Sequence, residues 1–456
     1  MFFFFISIVF LTVAAVGLYR RLNPQGTLIV IGLLMCVVAM LFGREPVALH
    51  SPTGNQVFDL IKLIEETFVS NISRAGLMIM TIGGYVAFMN HIEATHALVR
   101  ISMKPLAAFK RFPMLAAILT IPIGQALFIT TPSATGLGLL LVASFYPILV
   151  NLGVSKMTAL SMIAATTIFD QGPGSANTAL AAELIGINNV EYFITRQLSL
   201  VLPTLVVVMI TFGVVNIWFD RRGRKQNQTE KKSPVETIAT QAPAFFALFP
   251  ILPLLLLVVF SPFVGLIHPA VKLNTTTAMF FSLFVAMVVY LIYVRSLRKT
   301  FEAVAAFWKG MGNVFAKVVT LIVASEIFSK GLIQLHFIDN LINLSSGAGF
   351  TSLTIVLVFT LIIFSAAILM GSGNAAFFSF GPLMPGIATR LGIPAYAIVL
   401  PTQLASSMGR SASPIAGVIV AIAGVADVSP IDLAKRNILP LSISVAFLIT
   451  YHIITL

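Results

Sequence analysis

A full positive charge lies near the middle of an apolar stretch long enough to cross a bilayer. The stretch runs from Ala395 to Ala426 and is interrupted by Gly409-Arg410-Ser411-Ala412-Ser413-Pro414. An Arg at the centre of a membrane helix costs about 2.5–3.5 kcal/mol on insertion scales. A glycine before it, a proline after it and small hydroxyl residues between are poor material for continuous helix. The pattern predicts a helix broken at mid-membrane. Non-helical backbone survives there only if it is buried in protein or lines a cavity. A charged break of this kind marks a functional site; an Arg that only neutralises a structural carboxylate is the plainer alternative.

Hydrophobic residues make up 58% and charged residues 10% of the 456 positions, which excludes a soluble globular chain. Many apolar runs of about 18 residues or more indicate an all-α polytopic membrane protein. The net charge of +12 sits in loops between these runs, without an aromatic-basic surface, so no nucleic-acid partner is expected. Cys36 lies alone in an apolar run, so neither a disulfide framework nor a cysteine metal site is expected. The first apolar run is followed, not preceded, by Arg20 and Arg21, which reads as a first transmembrane helix and not as a cleaved signal. There is no HExxH and no GxSxG, and His91 and His96 are spaced off one helical face around Glu93. No enzyme, metal site or cofactor is expected.

The chain divides into two halves of like order. Residues 1–219 hold spans, a hairpin at 113–150 and a broken helix at 157–185. A polar linker occupies 220–243. Residues 244–456 hold spans, a hairpin at 351–390 and the broken helix at 395–426. Two mixed stretches, Val57 to Val69 and Arg295 to Gly312, read as helices lying at the membrane interface. The second arm of the first hairpin, Gly136 to Val150, is short for a span, so both hairpins read as re-entrant. Ser133-Ala134-Thr135 recurs as Ser372-Gly373-Asn374, and Leu152-Gly153-Val154 as Leu391-Gly392-Ile393, both at an offset of 239. Asp170 falls one position from the equivalent of Arg410. Paired interrupted segments in corresponding halves are the sequence signature of an inverted-repeat secondary transporter.

Charge placement orients the chain. With the N-terminus outside, 19 of the 28 Lys/Arg fall on cytoplasmic segments and 7 outside, with Lys317 at a boundary. Both termini are then periplasmic, the linker is cytoplasmic, and the hairpins open to opposite sides.

Four half-helices are expected to begin near the centre: after Thr135, after Gly174, after Asn374 and at Ser413-Pro414. Helix N-termini present unpaired N–H groups and partial positive charge, and several converging make an anion site. Arg410 adds a planar fork suited to a carboxylate. Ser133, Thr135, Ser175, Asn177, Thr178, Ser372, Asn374, Ser411 and Ser413 add neutral donors. The expected substrate is a small polar anion, a carboxylate. Asp170 is a charge partner for Arg410 or a carrier of a proton or sodium ion. Glu326 is a second intramembrane acid, for which Lys330 one turn away is an equally good explanation.

With these motifs placed, the chain resembles the anaerobic C4-dicarboxylate carriers of the DcuC and DcuD type, in the ion-transporter superfamily. Ser133 to Gly138, Met370-Gly371-Ser372-Gly373-Asn374-Ala375 and Gly409 to Ile415 carry the resemblance. Gly310-Met311-Gly312 and Glu326-Ile327-Phe328 add to it. It implies an inner-membrane carrier of succinate, fumarate or malate, working by antiport or ion-coupled symport. It also implies two hairpins and two broken helices around the substrate, a homodimer, and elevator-like movement. Asp170-Gln171-Gly172-Pro173-Gly174 departs from the expected family pattern. The residues also suit a carrier of another small organic anion. An anion channel fits less well, because hairpins that each block one side favour alternating access.

Overall fold

The computed structural model describes residues 2–20, 22–44, 46–109, 111–223, 242–260, 273–337, 339–340, 343 and 351–456. All regular structure among them is helical. Among the described residues eight helices are long and apolar enough to cross a membrane, and the chain is a multi-pass membrane protein. Most of the linker expected at 220–243 lies outside the described residues.

Helices α1 (Phe2–Tyr19) and α2 (Pro24–Leu41) pack on each other and precede a long element. In that element α3 (Gln56–Asn71) runs through a π-turn at Ile72–Gly76 into α4 (Leu77–His91). The second half repeats the device. After α11 (Leu252–Val259) and α12 (Thr275–Val294), α13 (Leu297–Val314) passes through a π-turn at Phe315–Val319 into α14 (Thr320–Gln334). The two long elements lie antiparallel, α4 on α13, α3 on α14, and one π-turn against the other. Asn71 donates to Glu326 at 2.7 Å, and Gly76 packs by Val319. Gly83 and Gly84 lie so close to Phe307, Gly310, Met311 and Val314 that no Cβ would fit. Small residues of this kind let membrane helices approach backbone to backbone.

This arrangement corrects the expectation of two separate interfacial helices. Each mixed stretch is the outer part of a continuous helix, about 54 or 57 Å long at 1.5 Å per residue. The amphipathic pattern is real, and part of its apolar face, at Leu63, Ala303, Phe307 and Met311, packs inside the protein.

The first hairpin pairs α6 (Pro113–Thr130) with α7 (Ala134–Asn151) after the short α5 (Ala94–Ser102). Both arms have 18 residues, so the second arm is not shorter than a span as the sequence suggested. The first break separates α8 (Lys156–Ala165) from α9 (Ala176–Ile185). At about 15 Å each, neither half crosses a hydrocarbon core of about 30 Å. One turn at Asn189–Tyr192 and a π-turn at Phe193–Gln197 lead into the closing helix α10 (Leu198–Gly223).

In the second half α15 (Ser352–Met370) reverses at Gly371, whose φ of +67° needs no Cβ, into α16 (Gly373–Phe380) and α17 (Met384–Leu391). The second break separates α18 (Tyr396–Ser411) from α19 (Gly417–Val425), and α20 (Pro430–Thr455) closes the half against α10. The helix therefore runs through Arg410 to Ser411 before breaking. Ser413-Pro414 does not start the next half-helix; Ser413 only accepts a 3.4 Å bond from the Ile415 N–H, and α19 begins three residues after Pro414.

Candidate substrate site

The two breaks and the two hairpin tips meet. Each break exposes backbone groups that a membrane interior cannot satisfy with water. At the first break, side chains from other helices take up the carbonyls. Gln125 of α6 donates to Thr166 O at 2.9 Å, Gln403 of α18 donates to Asp170 O at 3.0 Å, and the Arg410 guanidinium donates to Thr167 O. Gln197 accepts from the Gly172 N–H at 3.2 Å and donates to Gln403, which also accepts from the Tyr192 hydroxyl. Gln125, Gln197 and Gln403 are fully or almost fully buried. Sequence reasoning missed all three. Their signal was a glutamine within an apolar run, a costly residue at membrane depth.

Asp170 is held by Ser175 Oγ at 2.6 Å and Asn177 Nδ2 at 3.1 Å. Arg410 Nη1 stands 3.7 Å from its Oδ2, a loose ion pair, and Arg410 Nε is buried with no hydrogen-bond partner. The guanidinium thus keeps donor capacity beyond Thr167 and Asp170. Its carbon lies 5.8 Å from the Phe128 ring centre on the first hairpin.

The four half-helix N-termini sort into two kinds. At α9, Ser175 caps the N–H groups of Asn177 and Thr178; at α16, Ser372 caps Ala375. At α7 and α19 no side chain caps the first turn. These two uncapped ends converge, since a Cβ on Gly417 would lie 3.2 Å from Thr135 Oγ1. The capped ends meet each other through Asn177, which reaches Asn374 Oδ1 at 3.2 Å and Ser407 Oγ at 3.4 Å.

An open cavity of about 680 Å³ runs along this junction. Ser133, Thr135, Asp170, Ser372, Asn374 and Arg410 line it, together with Gly417 and Val418 at the uncapped start of α19. A separate small cavity of about 20 Å³ touches Pro132 and Gly174 and is lined mainly by apolar side chains. Of the other expected site residues, Asn177 lies one layer behind the cavity, beside Asn374. Ser175, Thr178, Ser411 and Ser413 are fully buried and do not line it. Ser175 serves Asp170 and the α9 cap, Thr178 pairs with Gln197, and the Ser411 carbonyl accepts from Asn437. Glu326 stands apart from the cavity, bound to Lys330 at 3.0 Å and to Asn71.

Chemically, the junction offers an anion two partly positive helix ends and a guanidinium with unused donors, beside one carboxylate already supplied with hydrogen bonds. Residues 2–456 match the family described as DcuC, C4-dicarboxylate anaerobic carrier. The chain belongs to the DcuC family. It is a transporter of that family and not an enzyme. It is 30% identical to the anaerobic C4-dicarboxylate transporter DcuC of Escherichia coli K12, over 98% of this chain and 96% of that one. A probable anaerobic C4-dicarboxylate transporter DcuC of Vibrio cholerae is 29% identical over 93% of this chain and 92% of the other. Among solved structures, MtrF of Neisseria gonorrhoeae, from a class of antimetabolite efflux pumps, superposes with a TM-score of 0.63 at 12% identity, covering 96% of each chain. That likeness shows a shared fold.

Proposed function

We propose that this chain is a secondary active transporter of C4-dicarboxylates such as succinate, fumarate and malate across the bacterial inner membrane. The observation that carries it is the convergence of two uncapped helix ends with Arg410 on one open cavity. The names of the relatives support the substrate class. One carboxylate is bound by Arg410 and the N-termini of α7 and α19, and the neutral donors Ser133, Thr135, Ser372 and Asn374 complete the site. Asp170 is the candidate for coupling to a proton or sodium ion, because it is the acid in contact with this site. Transport is antiport or ion-coupled symport. The halves 1–219 and 244–456 act as inverted repeats whose hairpins are re-entrant, and the hairpins with the broken helices move against the long paired helices in elevator fashion, within a homodimer. The test is exchange of labelled succinate in proteoliposomes, with sodium and proton gradients varied separately. Saturable exchange without conductance is expected; conductance without counterflow favours a channel, and exchange of another organic anion but no dicarboxylate moves the substrate class.

The cavity reaches Leu18, Leu22, Pro24 and Gln25 at the α1–α2 connection, where the sequence carries Arg20 and Arg21. By the positive-inside rule this connection is cytoplasmic and the cavity faces inward, with both termini periplasmic. A cysteine at Gln228, in the linker outside the described residues, is expected to stay unlabelled by an impermeant thiol reagent in intact cells and to react after permeabilisation. Labelling in intact cells reverses the topology.

A further inference from the structure

Three charged side chains line the cavity: Asp170, Arg410 and Lys317. The first two belong to the broken helices. Lys317 comes from a different element, as the middle residue of the π-turn Phe315–Val319 between α13 and α14. Such π-bulges often sit at functional sites, because the extra residue turns a side chain out of the regular helical ladder. The turn is tied to the start of α2, since Gln25 Nε2 donates to Ala316 O at 3.3 Å and to Thr320 Oγ1 at 3.4 Å. Lys317 is exposed and pairs with no acid among the described residues. The corresponding π-turn of the first half, Ile72–Gly76, also carries a basic residue at its middle position, Arg74.

We infer that Lys317 receives the second carboxylate of a dianionic substrate whose first carboxylate is held by Arg410. The inference rests on the dicarboxylate reading above. Its logic is charge balance across the cavity. Asp170 already offsets part of the Arg410 charge, so a dianion brought to Arg410 alone would leave one carboxylate facing a wall of neutral residues. Among the lining residues from α1, α2 and the π-turn with its flank, Leu18, Leu22, Pro24, Val318 and Leu321 are apolar, Gln25 is engaged with the π-turn, and Lys317 is the cation. A flexible ammonium suits a contact that forms in one state of the carrier and must release in the next. The residue is therefore a determinant of specificity for two carboxylates over one.

The test compares succinate with succinamate, the same carbon chain carrying one carboxylate and one amide. In proteoliposomes, unlabelled succinate and succinamate compete with labelled succinate in counterflow. In the unaltered protein succinate should compete better. In Lys317→Gln the concentration of succinate needed should rise roughly fivefold, the scale of a solvent-exposed ion pair, while that of succinamate stays unchanged. Lys317→Arg should keep the preference for succinate. A succinate-to-succinamate ratio unchanged in Lys317→Gln overturns the assignment while leaving the dicarboxylate function standing. If the unaltered protein exchanges no dicarboxylate, the function fails and this assignment falls with it.

Discussion

Arg410→Ala is expected to abolish dicarboxylate transport while the protein still reaches the membrane. The guanidinium bonds to Thr167 O, stands 3.7 Å from Asp170 and keeps a buried, unpartnered Nε. Removing it takes away the full positive charge on the hairpin-and-break wall of the site and leaves Asp170 with only Ser175 and Asn177. Breaking a buried pair by deleting one partner costs about 3–5 kcal/mol, so folding must be checked by size-exclusion profile before transport is read. Arg410→Lys separates charge from geometry. It keeps the positive charge but loses the planar fork. The succinate concentration for half-maximal exchange should rise by roughly tenfold or more if a charge-assisted bond of about 1.5–3 kcal/mol is lost. The double variant Asp170→Asn with Arg410→Gln removes both charges together. If Arg410 exists only to neutralise Asp170, this protein should transport. Recovered transport in folded double variant would remove Arg410 from substrate binding; because Asp170 is also the coupling candidate, the assignment is supported by the loss of affinity in Arg410→Lys and not by inactivity of the double variant.

Gly373→Val is expected to stop transport by a different route. Gly373 opens α16 at the tip of the second hairpin, against the backbone of α18 one turn before Arg410. A Cβ there would lie 2.6 Å from Ser406 O and 3.1 Å from Ser407 Cα, and neither is a flexible side-chain end that could yield. The tip must back away, and Asn374 then loses its contact with Asn177. Overpacking of this kind costs about 1–3 kcal/mol, and we expect succinate exchange to fall at least tenfold in protein that remains folded. Ser372→Ala is the graded comparison. It removes the cap on the Ala375 N–H, a contribution of about 1 kcal/mol, together with a hydroxyl that lines the cavity, and should weaken apparent affinity several-fold without stopping exchange. Exchange at the unaltered rate in Gly373→Val would show that the tip does not seat against α18 during the transport cycle.

Both predictions use residues visible in the sequence; Asp170 was expected beside Arg410, but the Thr167 carbonyl against Arg410 and the Ser406 backbone against Gly373 were not. The break near Arg410 was legible because a charge, a glycine and a proline inside an apolar run contradict a plain membrane helix. Its exact register was not. The chain stays helical to Ser411 and bends through 412–416. Gly409 lets α18 press onto the backbone of Phe364 and the Cβ of Ala367, and a packed helix continues further than its local propensities suggest. The two mixed stretches at 57–69 and 295–312 were legible as amphipathic helices. Periodicity reports that one face is covered and says nothing of what covers it, so they were placed at the lipid surface, although part of that face packs on the other long helix and Val57, Phe58, Ile61, Leu297, Phe301 and Trp308 stay exposed.

The sequence by itself determined the membrane class, the two-fold order of hairpin, break and closing helix, and the family. These depend on apolar run length, charge placement and short motifs, which are properties of neighbouring residues. Tertiary structure alone decided which helix ends stay uncapped. Ser175 and Ser372 turn inward to cap their own helices, while α7 and α19 meet through Thr135 and Gly417 with no capping side chain. It also decided that Lys317, unremarkable at a boundary in the sequence, lines the same cavity as Arg410. The reason is physical: a capping bond or a shared cavity wall depends on which segments, far apart in the chain, the packing of glycine-lined helices brings within a few ångströms, and no local pattern encodes that distance.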